Sequence, residues 1–132
     1  MSFTLSITTS LAQQSAVDVT RAALAENGFG VLTEIDLQAT LIQKIGTDIG
    51  PCTILGACRP PLAAAAYAAD KRVATLLPCN VVVRAEGDTT VIEAMDPALM
   101  SEVSGTDAFD EVAADARTRL QAALDAVAAV DR

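Results

Sequence analysis

The residues in this sequence that could do chemistry are few, because histidine is absent. Imidazole-assisted nucleophiles, histidine metal ligands and the usual near-neutral proton shuttle are therefore excluded. Three thiols remain, Cys52, Cys58 and Cys79. Cys58 ends an apolar run just before Pro60-Pro61, the signature of a helix start. Helix N-termini stabilise thiolates, so Cys58 is the candidate nucleophile or redox thiol. The competing reading, a small buried apolar residue, is the commoner fate of a free cysteine and carries more weight. Cys52 and Cys58 lie six residues apart on one strand, roughly 20 Å, beyond disulfide reach. Cys79 comes near Cys58 if the strand it opens runs antiparallel to that strand, and near Cys52 if it runs parallel. A Cys58–Cys79 pair would permit redox chemistry or soft-metal binding, although a zinc site needs four ligands.

The carboxylates are weaker candidates. Glu34, Asp36, Glu93 and Asp96 fall at or near strand ends, where paired acids do acid–base work or hold a hard cation. Asp36 has a sufficient role as a helix cap, and Asp96 as a turn residue before Pro97. Glu34 interrupts an otherwise apolar strand and is less easily dismissed. Arg59, at a helix start, is placed to hold a carboxylate or phosphate, though a solvent-facing side chain is the first expectation. Gly28-Phe29-Gly30 lies between a helix and a strand, the reverse of the dinucleotide-binding order. No phosphate loop and no CxxC motif is present. No metal ligand set and no cofactor is assigned.

The elements that must position these residues follow from periodicity. Residues 3–9 alternate strictly, Phe3, Leu5 and Ile7 against Thr4, Ser6 and Thr8, which predicts a half-buried strand. Ser10 and Gln13 form a capping box that opens a helix lined by Ala12, Ala16, Val19 and Ala23 and ended by Gly28. A strand over 29–35 leads into a short helix capped by Asp36, with Leu37, Leu41 and Ile45 on its inner face, ended by Gly46. Residues 52–57 form a third strand. A helix follows the two prolines through Ala69, and residues 70–78 form an irregular link. Strands over 80–84 and 90–95 are joined by Glu86-Gly87-Asp88 as an antiparallel hairpin. The last helix runs from about 107 to 130, with Phe109, Val112, Ala116, Leu120, Leu124 and Val127 inward. The order β-α-β-α-β-α-β-β-α predicts an α+β two-layer sandwich. Its sheet is expected to be mixed and five-stranded, with helices mainly on one face.

Size and charge bound the rest. A chain of 132 residues and 13.6 kDa fits one domain, 1–132, with a core of its own. Hydrophobic residues make up 52%, but alanine supplies 26 of them, so the core is built of small side chains. Seventeen acids against nine bases give a charge of −8, with three Phe, one Tyr and no Trp. Neither a nucleic acid nor an anionic membrane is the expected partner of such a chain. The first ten residues have no signal-peptide pattern, and the longest apolar run, 62–69, is too short to span a bilayer. A cytoplasmic protein with reduced thiols is expected. A sheet edge or face left open would be covered most cheaply by a second copy, so a homodimer is expected.

Three segments carry a resemblance: Gly28-Phe29-Gly30-Val31-Leu32-Thr33-Glu34-Ile35-Asp36, then Ile54 through Ala63, then Leu76 through Val83. With Met95-Asp96-Pro97 and the long last helix, they resemble the domain of unknown function 302 family over nearly the whole chain. The resemblance implies a small two-layer α/β domain without an assigned activity. It carries Cys58 and Cys79 over as family positions, with Asn80 and Glu34 more loosely. Arg59 stands where the family commonly has Asn, and Cys52 where it commonly has an aromatic.

The expected function is thus a non-enzymatic, dimeric module binding a small-molecule ligand or partner in a groove near Cys58 and Cys79. The alternatives are a thiol redox enzyme or sensor, with Cys79 resolving Cys58, and a thiolate metal or cofactor binder. Whether the chain is an enzyme stays open on sequence grounds.

Overall fold

The computed structural model describes residues 2–130. In chain order the elements are β1 (Thr4–Thr9), α1 (Gln13–Glu26), β2 (Gly30–Asp36), α2 (Leu37–Ile45) and β3 (Cys52–Cys58). They continue with α3 (Pro60–Ala69), a 3₁₀ segment (Lys71–Leu76), β4 (Cys79–Glu86), β5 (Thr89–Met95), α4 (Leu99–Ser104) and α5 (Asp110–Ala128). This is the α+β sandwich anticipated, with five strands in the spatial order β1-β5-β4-β3-β2. The sheet is not mixed, however: all four neighbouring pairs are antiparallel. The reason lies in the one long crossover. β1 and β2 point the same way but sit at opposite edges, joined by α1, whose 14 residues run about 21 Å back across the sheet. Every other strand folds back beside its predecessor in the chain or pairs with β1.

The alternation of each strand sorts residues to two faces. One cross-strand row, Leu5, Ala94, Val81 and Leu55, is buried throughout. Onto it pack Val17 and Leu24 of α1 and Leu120, Leu124 and Val127 of α5. The neighbouring row points the other way and runs Ser6, Glu93, Val82, Ile54, Ile35. On that face Arg84 holds Glu93, which also accepts from Thr4 Oγ1 at 3.2 Å.

Several local expectations are corrected. The helix does not open at Ser10, where the Ser10–Gln13 capping box predicted it. The helix begins at Gln13 with Ala12 in the cap position, and the Gln13 amide instead donates to Thr53 Oγ1 and the Val83 carbonyl, both at 3.0 Å. Its buried face is Ala16, Val17, Thr20, Ala23 and Leu24, rotated from the predicted stripe toward the bulkier side chains. Asp36 does cap α2, accepting from the Ala39 N–H at 2.9 Å. Yet α2 buries no residue, and Ile45, predicted to face inward, is 70% exposed. The stretch after Pro97 holds an unpredicted helix, α4, whose approach Asp96 shapes by accepting from the Ala98 N–H at 3.0 Å. Asp96 is also held by Arg117 of α5.

Candidate functional site

Antiparallel pairing of β3 with β4 settles where the thiols meet. Cys79 lies opposite Ala57, one position from Cys58, while Cys52 lies at the far end of β3 opposite Arg84. Cys58 and Cys79 line one small cavity, walled by Phe29, Leu62, Ala66 and Leu77, with Met100 and Val112 closing it from α4 and α5. All three cysteines are free thiols. Cys79 is buried, and desolvation, helped by the charge of neighbouring Cys58, pushes its thiol up to about 11. Burial likewise raises the Cys52 thiol; Arg84 opposes that shift and Asp36 adds to it.

The helix-start argument for a Cys58 thiolate does not survive the geometry. Pro60 and Pro61 occupy the first positions of α3 and have no N–H. The next two N–H groups, of Leu62 and Ala63, both donate to the Arg59 carbonyl at 3.0 Å. The start of this helix therefore offers no free N–H to an anion.

Arg59 departs most from expectation. It is half-buried rather than solvent-facing, and it forms part of the same cavity wall. Its guanidinium folds back over the turn at Gly28, where an added Cβ would stand 3.1 Å from Nη1. Gly28 has φ +87°, so glycine serves both the left-handed turn and the close approach. The Arg59 Nε–H is buried with no hydrogen-bond partner. The other described arginines, Arg21, Arg72, Arg84, Arg117 and Arg119, each pair with a carboxylate. An orphaned charged donor inside a protein costs free energy that a bound acceptor would restore.

Two other candidates are not brought to the cavity. Glu34 is exposed and bonds Arg21 of α1 at 2.7 Å, so its interruption of an apolar strand is a surface ion pair. Asn80 is exposed on the opposite sheet face, across from Gly56. Sequence reasoning missed the cavity's apolar walls, Phe29, Leu77 and Met100. The first two fall inside the resemblance segments, but nothing in their spacing marks them as neighbours. A larger hollow, about 200 Å³, lies between the 3₁₀ segment and α4, but its charged rim, Asp70 and Arg72, is mutually satisfied at 2.6 Å. Among the described residues no group of three or more Cys, Asp or Glu side chains is placed to hold a metal ion, and no helix is long and apolar enough to cross a membrane.

With strand order and cavity in view, comparison with known proteins is decisive for the family. The chain matches the domain of unknown function DUF302 over residues 5–127. It belongs to the DUF302 family. The structure is similar to the crystal structure of an uncharacterised conserved DUF302 protein from Bacillus stearothermophilus. The TM-score is 0.90 at 30% identity, covering 96% of this chain and 98% of that one. No curated protein matches the chain. Of the DUF302 chain's candidate residues, Cys58, Arg59 and Cys79 converge on the cavity, and Glu34 and Asn80 lie away from it.

Proposed function

We propose that this DUF302 chain is a non-enzymatic module that binds a small organic anion in the groove beside Cys58 and Cys79, its acidic head on Arg59. The observation that carries the reading is the buried, unpartnered Arg59 Nε–H at an otherwise apolar cavity. A guanidinium edge takes a carboxylate through two parallel N–H···O bonds. The enclosed space is about 20 Å³, little more than one water, so the acidic head reaches Arg59 as the Leu62 side chain swings aside. A short alkyl tail then rests on Leu62, Leu77 and Phe29. With its thiol held neutral near pH 7, Cys79 serves as an apolar wall.

The test uses acetate, propionate and butyrate beside their uncharged amides, with thermal melting and calorimetry as readouts. Wild-type protein should melt higher with a carboxylate by linkage, roughly 2.7 kcal/mol at 100-fold saturation, and not with the amide. Arg59→Met, which keeps bulk and removes the donors, should lose the response. Equal responses of acid and amide, or an unchanged response in Arg59→Met, would sink the reading.

The convergence of two free thiols favours a second reading, a thiol–disulfide exchange site: Cys58 attacks a substrate disulfide and expels one thiolate, and Cys79 then displaces the other, leaving a Cys58–Cys79 disulfide and a reduced dithiol. Native-state alkylation separates the two. Rapid modification of Cys58 at pH 7 would support the redox site, whereas thiols that react only after denaturation would eliminate it.

A further inference from the structure

From Gly30 to Pro51 no residue is buried. In a chain that is 52% hydrophobic this run is the anomaly of the fold. It is apolar in its own right. Of nine large hydrophobic side chains exposed among the described residues, five lie here: Leu32, Ile35, Ile42, Ile45 and Ile49. α2 has nine residues, is well capped at both ends and buries none of them. β2 and β3 half-bury Leu37 and Leu41 but leave Ile42 and Ile45 open, so the helix has an apolar side that its own chain does not cover. Ile35 also continues, in register, into the half-buried Ile54 and Val82 on the sheet face away from α1 and α5. The patch therefore spans β2, α2 and the outer side of β3 and β4. Contiguous exposed apolar surface of this extent marks an interaction site.

We infer that this surface is the interface of a twofold homodimer. Three observations favour a second copy over another occupant. The first is charge. The chain carries −8, which makes most of its surface repel a copy of itself. In the run 30–51 Glu34 is neutralised by Arg21, leaving Asp36 and Asp48 against Lys44, a balance of −1. Two copies meet here at the least electrostatic cost. The second is extent: five exposed side chains together with half-buried Ile54 and Val82 give the apolar centre around which an interface of roughly 20–30 residues a side is built. The third is position. β2 is an edge strand, so the patch lies at the rim of the sheet, where a copy related by a twofold axis meets it without displacing α1 or α5.

The register irregularity between Val31 and Thr33 interrupts the edge ladder at Leu32. Such bulges stop strand-to-strand addition. The interface is therefore side-chain packing of α2 and the Ile35 row, not a ten-stranded continuous sheet.

Sedimentation equilibrium of the full chain at about 10 μM should give twice the 13.6 kDa chain mass, and the melting temperature should rise with protein concentration. The double substitution Ile42→Glu, Ile45→Glu should give the single-chain mass with unchanged far-UV circular dichroism. Val103→Glu, on α4 and 65% exposed, is the control and should remain dimeric. If the double variant fails to fold, Ile35→Lys at the strand edge makes the same test. A wild type that sediments as a single chain with a concentration-independent melt overturns the proposal. So does a dimer that survives the α2 substitutions, or one that Val103→Glu dissociates.

Discussion

Cys79 sits in the cavity wall with its thiol pushed up to about 11, chiefly by burial and secondarily by Cys58. A pKa raised on folding contributes stability that is whole below the unfolded value, 9.0, and is lost as pH rises through about 11. Wild-type melting temperature should therefore fall more steeply between pH 9 and 11 than that of Cys79→Ala. All other groups are common to both proteins, so the difference in slope is the reading. Parallel curves would refute the assignment. The Cys52 thiol is raised in the same direction, so the variant's slope should flatten without vanishing. Thr20 offers a second check. Its Oγ1 is buried in α1 with no partner, and an unmade hydrogen bond costs about 1–3 kcal/mol. Thr20→Val keeps the shape and removes that group, so the unfolding free energy should rise by about 1 kcal/mol, seen as a higher urea midpoint at unchanged m-value. A loss of stability would mean the hydroxyl is satisfied in solution.

Gly56 shows what a strand position requires when neighbours close on it from both sides. A Cβ there would stand 2.2 Å from Thr33 Oγ1 and 2.8 Å from Pro78 Cγ. The threonine hydroxyl can rotate away, but the proline ring cannot. Gly56→Ala should cost about 1–3 kcal/mol, the usual range for overpacking, and thermal denaturation would show it. At this scale much was legible and some was not. The alternation of residues 3–9 and the 86–88 turn placed β1 and the β4–β5 hairpin, because side-chain period and turn chemistry are local. The Ser10–Gln13 box misplaced the start of α1, which opens at Gln13 with Ala12 in the cap position, while the Gln13 amide reaches across to β3 and β4. Spacing correctly marked α2 as a helix with Leu37, Leu41 and Ile45 on one side. Spacing tells which residues would face a partner, not whether the same chain provides one. Cys58 and Cys79 were legible as a pair only on condition of strand direction, and the helix with its irregular link between β3 and β4 is compatible with either sense. Arg59 was legible as an anion-holding candidate, but its inward turn was not, since that depends on the missing Cβ of Gly28.

Two apolar clusters of unequal weight hold the whole molecule. The larger joins the sheet to α1 and α5. The smaller, Ala66, Val73, Met100, Phe109 and Ala113, sits among α3, the 3₁₀ segment, α4 and the start of α5. α3, the 3₁₀ segment and α4 each contribute a single buried residue, Ala66, Val73 and Met100. The cavity straddles the seam, with Phe29 and Ala57 from the first cluster and Ala66 and Met100 from the second. Segments with little buried surface open without global unfolding. Amide exchange over 62–76 and 99–104 should therefore be at least about tenfold faster than over β4 and β5, whose pairing lies inside the sheet. Phe109→Ala, which removes the bulkiest side chain of the smaller cluster, should speed exchange in those segments first. Its cost of about 3–5 kcal/mol falls where the cluster has least to spare. Uniform protection across both regions would show one cooperative unit. If the seam opens as expected, Cys79 labelling in the native protein should follow the exchange of 62–76. A carboxylate held across the seam should slow both together.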